Sequence, residues 1–229
     1  MGARVWIITL GICLILILSG CDIATDENEQ TFLIVNFSPS CYRLIYSPQV
    51  RSYVGRMIEE STDYINVAVV AKDPLWIRVQ STNLDAKQLY LKIVNARQEQ
   101  LGGAELTKLP KNLGGESLWG WGTDHAATLD LVSQHIDKKK TLSIVLITDG
   151  FNEVYPLDSV KGAIERLEKV SPNIHFKIMG LSQAIVDSVS KESIITLWRN
   201  MFLDLGFVDE DIHPDAKKGF TINSEIDES

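Results

Sequence analysis

The sequence TFLIVNFSPS at Thr31–Ser40 predicts a strand and a binding site at the end of that strand. Phe32–Val35 is a compact apolar run, which is typical of a strand buried on both faces. Side chains with oxygen atoms then alternate with other residues at Asn36, Ser38 and Ser40. The carboxyl ends of parallel strands border the crevice in which open α/β sheets bind their ligands. We therefore expect these three side chains to face such a crevice.

Two later stretches complete this pattern. Gly122–Asp124 (GTD) precedes a helical pattern, and Leu142–Gly150 (LSIVLITDG) is a second apolar strand that ends at Asp149. Strand and helix patterns alternate over residues 31–206, which predicts a mostly parallel sheet with helices on both faces. The expected fold class is α/β, doubly wound, with three layers.

Taken in order, N-x-S-x-S, G-T-D and strand–T-D-G resemble the motifs of the von Willebrand factor A-type (vWA) domain. That family carries a metal-ion-dependent adhesion site. The resemblance covers residues 31–206 and implies a site for Mg²⁺ or Mn²⁺, in which the serines bind the ion directly. It also implies that a carboxylate of a protein partner completes the coordination. The ligand positions that it implies are Asn36, Ser38, Ser40, Thr123 and Asp149.

The sequence departs from the family at the first of these positions, where Asn36 replaces an aspartate. An amide keeps a carbonyl oxygen but loses the charge that attracts a cation, so Asp149 is the one carboxylate left in the motif. We expect a weakened metal site, or none. The alternative is that Asn36, Ser38 and Thr123 only hydrogen-bond and tie the loops together. Asp124 either assists the metal or caps the following helix.

The amino-terminal residues 1–20 have the features of a lipoprotein signal peptide. One positive charge at Arg4 precedes the apolar run Val5–Leu18, and Leu18–Cys21 (LSGC) resembles the lipobox of bacterial lipoproteins. We expect a lipid on Cys21 that anchors an exported chain at a periplasmic face or at the cell surface. The apolar run is short for a membrane-spanning helix, which needs about 20 residues. An uncleaved membrane anchor is the alternative.

Beyond the signal peptide, the expected organisation is simple. Residues 21–30 are the lipidated cysteine and a polar tether, residues 31–206 the vWA-like domain, and residues 207–229 an acidic, poorly ordered tail. A tether of this length spans at most about 30 Å. The resemblance implies that the chain enters the first strand opposite the crevice, so the site is expected to point away from the membrane.

Charge and aromatic residues restrict the partner. The sequence has 30 acidic and 22 basic residues, a net charge of −8, which argues against nucleic acid. Trp119 and Trp121 precede Gly122, at the expected rim of the site. They are either a contact surface for a partner or a cap over the core.

Cys41 is expected to be a packed thiol rather than a nucleophile, because it has no histidine near it in sequence.

These features favour a membrane-tethered module that binds a protein. A metal-independent scaffold of an envelope assembly is one alternative, and a Mg²⁺-dependent hydrolase with Asp149 at the crevice is another. The sequence has no nucleophile elbow, no HExxH and no phosphate-binding glycine loop. We therefore predict a protein that is not an enzyme.

Overall fold

The structure, a computed structural model, describes residues 29–38, 41–61, 63–100, 122–150, 157–171, 173–181, 191–206 and 220–223. The strands in these ranges are β1 Glu29–Asn36, β2 Tyr64–Val70, β3 Leu75–Gln80, β4 Thr141–Ile147, β5 Ile174–Met179 and β6 Phe220–Asn223. The helices are α1 Tyr42–Ile45, α2 Pro48–Glu60, α3 Ala86–Gln100, α4 His125–Ser133, α5 Leu157–Val170 and α6 Lys191–Asp204.

The strands form one sheet in the order β3-β2-β1-β4-β5-β6. Every neighbouring pair is parallel except β2 and β3. From β1 the chain continues to β2 on one side and later returns to β4 on the other, so the strand order reverses at the β1–β4 pair. This is the predicted α/β, doubly wound sheet, and the reversal point is where such sheets bind ligands.

Side chains of β1 alternate between two cores, one on each face of the sheet. Phe32 and Ile34 point into the core shared with α4, α5 and α6. Leu33 and Val35 point into the core shared with α1, α2 and α3. Because β1 is covered on both faces, its apolar run is continuous, as the sequence predicted.

Two helix starts follow the local chemistry of their sequences. Ser47 caps α2 by accepting a hydrogen bond from the backbone N–H of Val50 at 3.3 Å, and Pro48 is the first helical residue. Asp124 caps α4, since its Oδ1 accepts from the backbone N–H of Ala127 at 2.9 Å. The role of Asp124 is therefore that of a helix cap.

Three further segments complete the architecture around the sheet. Cys41–Tyr46 contains the short helix α1, whose Leu44 and Ile45 are buried in the core. The helix α3 buries one face through residues four positions apart: Leu89, Ile93 and Arg97. The strand β3, Leu75–Gln80, lies at the edge of the sheet next to β2.

The sheet also extends past residue 206. Phe220–Asn223, inside the range that the sequence assigned to a tail, pairs in parallel with β5. A strand edge carries unpaired backbone groups that a short extended segment can satisfy. No helix within the described ranges is long and apolar enough to cross a membrane. The signal peptide and Cys21 lie outside those ranges.

Candidate functional site

The candidate site lies at the carboxyl edge of β1 and β4. Val35 pairs with Ile147, so Asn36 and Thr148 leave the two strands side by side. Asp149 follows directly. Thr123 precedes the cap of α4, and it is buried like the other described site residues. Ser40, Trp119 and Trp121 lie outside the described residues.

The side chain of Asn36 has a defined orientation. Its Oδ1 accepts a hydrogen bond from the backbone N–H of Ser38 at 2.9 Å, and its Nδ2 donates to Thr148 Oγ1 at 3.2 Å. A backbone N–H can only donate, so the amide oxygen must face Ser38. The amide N–H therefore faces β4, where a carboxylate would present a second acceptor instead.

Thr148 joins three elements through its hydroxyl. Besides Asn36, the backbone N–H of Gly150 donates to Thr148 Oγ1 at 3.1 Å, and His125 Nε2 lies 2.9 Å away. A hydroxyl accepts two hydrogen bonds and donates one, so Thr148 donates to His125 and the neutral imidazole carries its proton on Nδ1. Trp198 packs edge-on against His125 and donates from Nε1 to Gly150 O at 3.0 Å.

Cys41 links the loop after β1 to Asp149. The backbone N–H of Asp149 donates to Cys41 Sγ at 3.2 Å, and Ser38 also bonds to the thiol. Burial, with the negative charge of Asp149 as the second cause, raises the pKa of Cys41 well above its ordinary value of 9.0. The thiol therefore stays protonated, which confirms the prediction of a packed thiol.

The chemistry of this donor set bears on the predicted metal. Mg²⁺ prefers hard oxygen ligands in octahedral geometry, with carboxylates as its usual protein ligands. Here Asp149 is the one carboxylate, Asn36 turns its N–H groups toward β4, and Cys41 adds a thiol. Among the described residues no three His, Cys, Asp or Glu side chains cluster so as to hold a metal. In the described part of the site, a hydrogen-bonded amide at Asn36 thus stands where the vWA-like motif has a carboxylate.

A small cavity of about 30 Å³ opens beside Asn36, between the ends of β1 and β2 and the helix α3. Its lining comprises Asn36, Phe37, Ser38, Val69, Val70, Ala71, Ile93, Val94, Arg97 and Gly122. Arg97 is only 5% exposed, and its Nη1 donates to the backbone oxygen of Asp73 at 2.5 Å and to Gln100 Oε1. Burial lowers the pKa of Arg97, against an opposing effect of the Asp73 charge.

Three residues of this site were not identified from the sequence. Thr148 and His125 each stand next to a motif residue, Asp149 and Asp124, but nothing in a linear pattern shows that they meet. Arg97 continues the apolar stripe of α3, four residues after Ile93, and that spacing was the available signal.

Comparisons with known proteins find only distant structural similarity. No protein-family profile and no curated protein matches this sequence. Similar solved structures include the ArnB paralog VWA2 from Sulfolobus acidocaldarius, at 13% identity and a TM-score of 0.40, covering 66% of this chain and 34% of that one. Another is proximal thread matrix protein 1 from the mussel byssus, at 13% identity and a TM-score of 0.38, covering 76% and 47%. This chain thus spans about a third and about half of those two proteins.

Proposed function

We propose that this chain is an exported lipoprotein, anchored through Cys21, that binds a protein partner at the carboxyl edge of its sheet without a resident metal ion. The observation that carries the proposal is the double hydrogen bonding of Asn36, to Ser38 on one side and Thr148 on the other. At this position the vWA-like motif has an acidic ligand. A hydrogen-bonded amide keeps the crevice ordered without a cation.

The geometry of β1 supports an anchored arrangement. The strand runs over 8 residues from Glu29 to Asn36, roughly 26 Å, and the lipobox cysteine lies a few residues before its start. A lipid on Cys21 would hold the amino edge of the sheet near the bilayer. The opposite edge, with Asn36 and Asp149, would then be presented away from the membrane.

An aromatic cluster beside the site supports binding to a protein. Tyr90 packs edge-on against Phe37, with ring centroids 6.1 Å apart, and against Tyr46 at 5.8 Å. Tyr46 is 40% exposed, so the cluster reaches the surface. Aromatic side chains often dominate the energy of protein interfaces. In this proposal Trp119 and Trp121 extend the same contact surface.

Binding is favoured over hydrolysis by the state of the reactive groups. A hydrolase built on Asp149 would need a second group to assist it, but the Cys41 thiol is held protonated and Asp124 caps α4. A Mg²⁺-dependent version of the same binding site, with Ser38, Ser40, Thr123 and Asp149 as ligands, is the second candidate. It rests on the motif and is tested by the metal response of the protein.

Site-specific photo-crosslinking tests the proposal. A photoreactive phenylalanine analogue replaces Tyr46 in the full chain, produced in bacterial cells that contain its partner. We expect one discrete protein adduct. The matched control places the same analogue at Tyr64, which is 48% exposed at the start of β2, on the amino edge. Equal adducts at the two positions, or none at Tyr46, would overturn the proposed binding edge.

A further inference from the structure

We propose that the cavity beside Arg97 receives a side-chain carboxylate of the partner, a glutamate on its short aliphatic stem. This inference rests on the proposed function, because it names the group through which the partner engages the carboxyl edge. It assigns to Arg97 the positive charge that attracts that group.

The position of the cavity connects it to the candidate site. Asn36 and Ser38 form one wall, Gly122 borders it, and α3 contributes the wall that carries Arg97. Its volume of about 30 Å³ exceeds the roughly 10–15 Å³ that one water needs. The space can therefore hold a small polar group that enters from the crevice.

The charge of Arg97 determines the sign of the ligand. A guanidinium is always protonated in proteins and carries five N–H donors in a planar fork, which matches a carboxylate. Here it lies nearly buried, and two of its contacts are neutral oxygens, from the Asp73 backbone and Gln100. The carboxylate of Asp73 also acts on it. The attraction between an incoming carboxylate and Arg97 would be stronger than in water, because the dielectric constant around the buried cation is low.

The other residues that line the cavity determine which kind of group can carry the carboxylate into it. They are apolar: Phe37, Val69, Val70, Ala71, Ile93 and Val94. A methylene stem buries against such walls favourably, in proportion to its apolar area. The same cation repels Mg²⁺, so a carboxylate at Arg97 agrees with a site that works without a metal.

Thermal unfolding of the full lipidated chain in detergent tests this inference, with sodium propionate as the probe because it copies the glutamate stem. Sodium chloride at equal ionic strength is the reference. A ligand that binds only the native state raises Tm in a concentration-dependent way. At about a hundred-fold excess over its Kd, propionate is expected to raise Tm by roughly 5–10 °C.

Three variants locate the effect. Arg97→Gln removes the charge, and Val94→Phe fills the cavity from a half-buried position while leaving Arg97 in place. Leu91→Phe is the matched control, since Leu91 lies on the same helix but is 53% exposed and away from the lining. We expect the propionate shift to disappear in the first two variants and to persist in Leu91→Phe. If Arg97→Gln does not fold, Val94→Phe and Leu91→Phe still decide the outcome.

The inference is wrong if propionate and chloride act alike, or if Val94→Phe retains the full shift. The crosslink at Tyr46 separates this failure from failure of the proposed function. An adduct that forms in Val94→Phe as readily as in the parent chain would show that a partner binds at this edge without using the cavity. If no adduct forms in either chain, the proposed function itself is wrong.

Discussion

Asn36 and Thr148 are 112 positions apart in the sequence, yet Asn36 Nδ2 donates to Thr148 Oγ1 at 3.2 Å across the β1–β4 pair. Thr148 in turn bonds to His125, so the direction of the Asn36 hydrogen bond determines which nitrogen of His125 carries the proton. The choice of Asn or Asp at position 36 is thereby coupled to the tautomer of a buried histidine. A substitution at the first motif position therefore changes the hydrogen bonds around His125 as well as the charge of the site.

The first prediction concerns Asn36→Asp. A second carboxylate near Asp149 is repelled, and Thr148 must turn its hydroxyl away from His125. We expect a loss of about 1–3 kcal/mol in the free energy of unfolding in EDTA, measured by urea denaturation, and recovery of most of it in Mg²⁺. Asn36→Ala is the control, which should lose stability without responding to the metal.

The parent chain, in contrast to Asn36→Asp, is expected not to respond to a divalent cation. We expect its Tm in Mg²⁺, Mn²⁺ and EDTA to agree within about 1 °C, since a ligand that does not bind the native state gives no shift. A rise in Mg²⁺ that Asp149→Ala abolishes would contradict the metal-free site and favour the metal-dependent one.

Thr148→Val should be among the most destabilising polar substitutions in the site. It leaves Asn36 Nδ2, the Gly150 N–H and His125 Nε2 without their acceptor or donor. We expect a loss of about 3 kcal/mol, because buried polar groups without partners cost about 1–3 kcal/mol each and partly relax.

Thr128→Val is the matched control for that substitution. Thr128 is also fully buried, but its hydroxyl makes one side-chain hydrogen bond, a donation to the backbone oxygen of Asp124 at 2.7 Å. A loss of about 1 kcal/mol is expected in urea denaturation. Equal losses for the two variants would mean that the three contacts of Thr148 do not act together.

Gly150→Ala tests the close packing behind Asp149. Gly150 has φ 83°, and a Cβ there would meet Leu181 Cδ2 at 2.5 Å and Trp198 Nε1 at 2.8 Å. Gly206 has nearly the same φ of 84° but nothing within 4 Å of its Cβ position. Gly206→Ala should cost about 1 kcal/mol from backbone strain alone, and Gly150→Ala about 2–4 kcal/mol. Thermal or urea unfolding compares them, and equal costs would refute the packing argument.

The Cys41 thiol should be unreactive in the native chain and should make stability depend on pH. Because the folded-state pKa lies above the ordinary 9.0, the thiol contributes fully below pH 9 and its contribution falls as the unfolded thiol ionises at higher pH. Relative to Cys41→Ala, the mature chain should lose about 1.4 kcal/mol per pH unit above pH 9. Parallel stability curves, or fast alkylation by iodoacetamide in the absence of denaturant, would refute this.

Cys21→Ser tests the anchor. Labelled palmitate should enter the parent chain in bacterial cells, and the variant should lose the label and leave the membrane fraction. Cys13→Ser, within the apolar run, is the control and should keep both. Labelling that survives in Cys21→Ser would refute the lipoprotein prediction.

Local sequence was sufficient for most elements of the fold and for the alternation of strands and helices. The apolar run of β1, the cap at Ser47 and the stripe of α2 each depend on neighbours within about eight positions, so periodicity and capping chemistry predict them. The segment after residue 84 was ambiguous, because helix α3 has a mixed pattern and buries Arg97 on its apolar side. The strand β6 is too short to stand out in sequence, and it is recognised by its pairing with β5.

The contacts between the residues of the site could not be predicted in the same way. Motif spacing predicted that Asn36, Ser38 and Asp149 lie at the carboxyl edge of the sheet, because the end of a strand can be recognised from local sequence. The partners of those residues depend on tertiary contacts: Cys41 meets Asp149 across 108 positions, and Thr148 meets Asn36 across 112. Whether an amide or thiol faces a crevice, a strand or a cation depends on the geometry of a distant neighbour. No local pattern in the sequence carries that geometry.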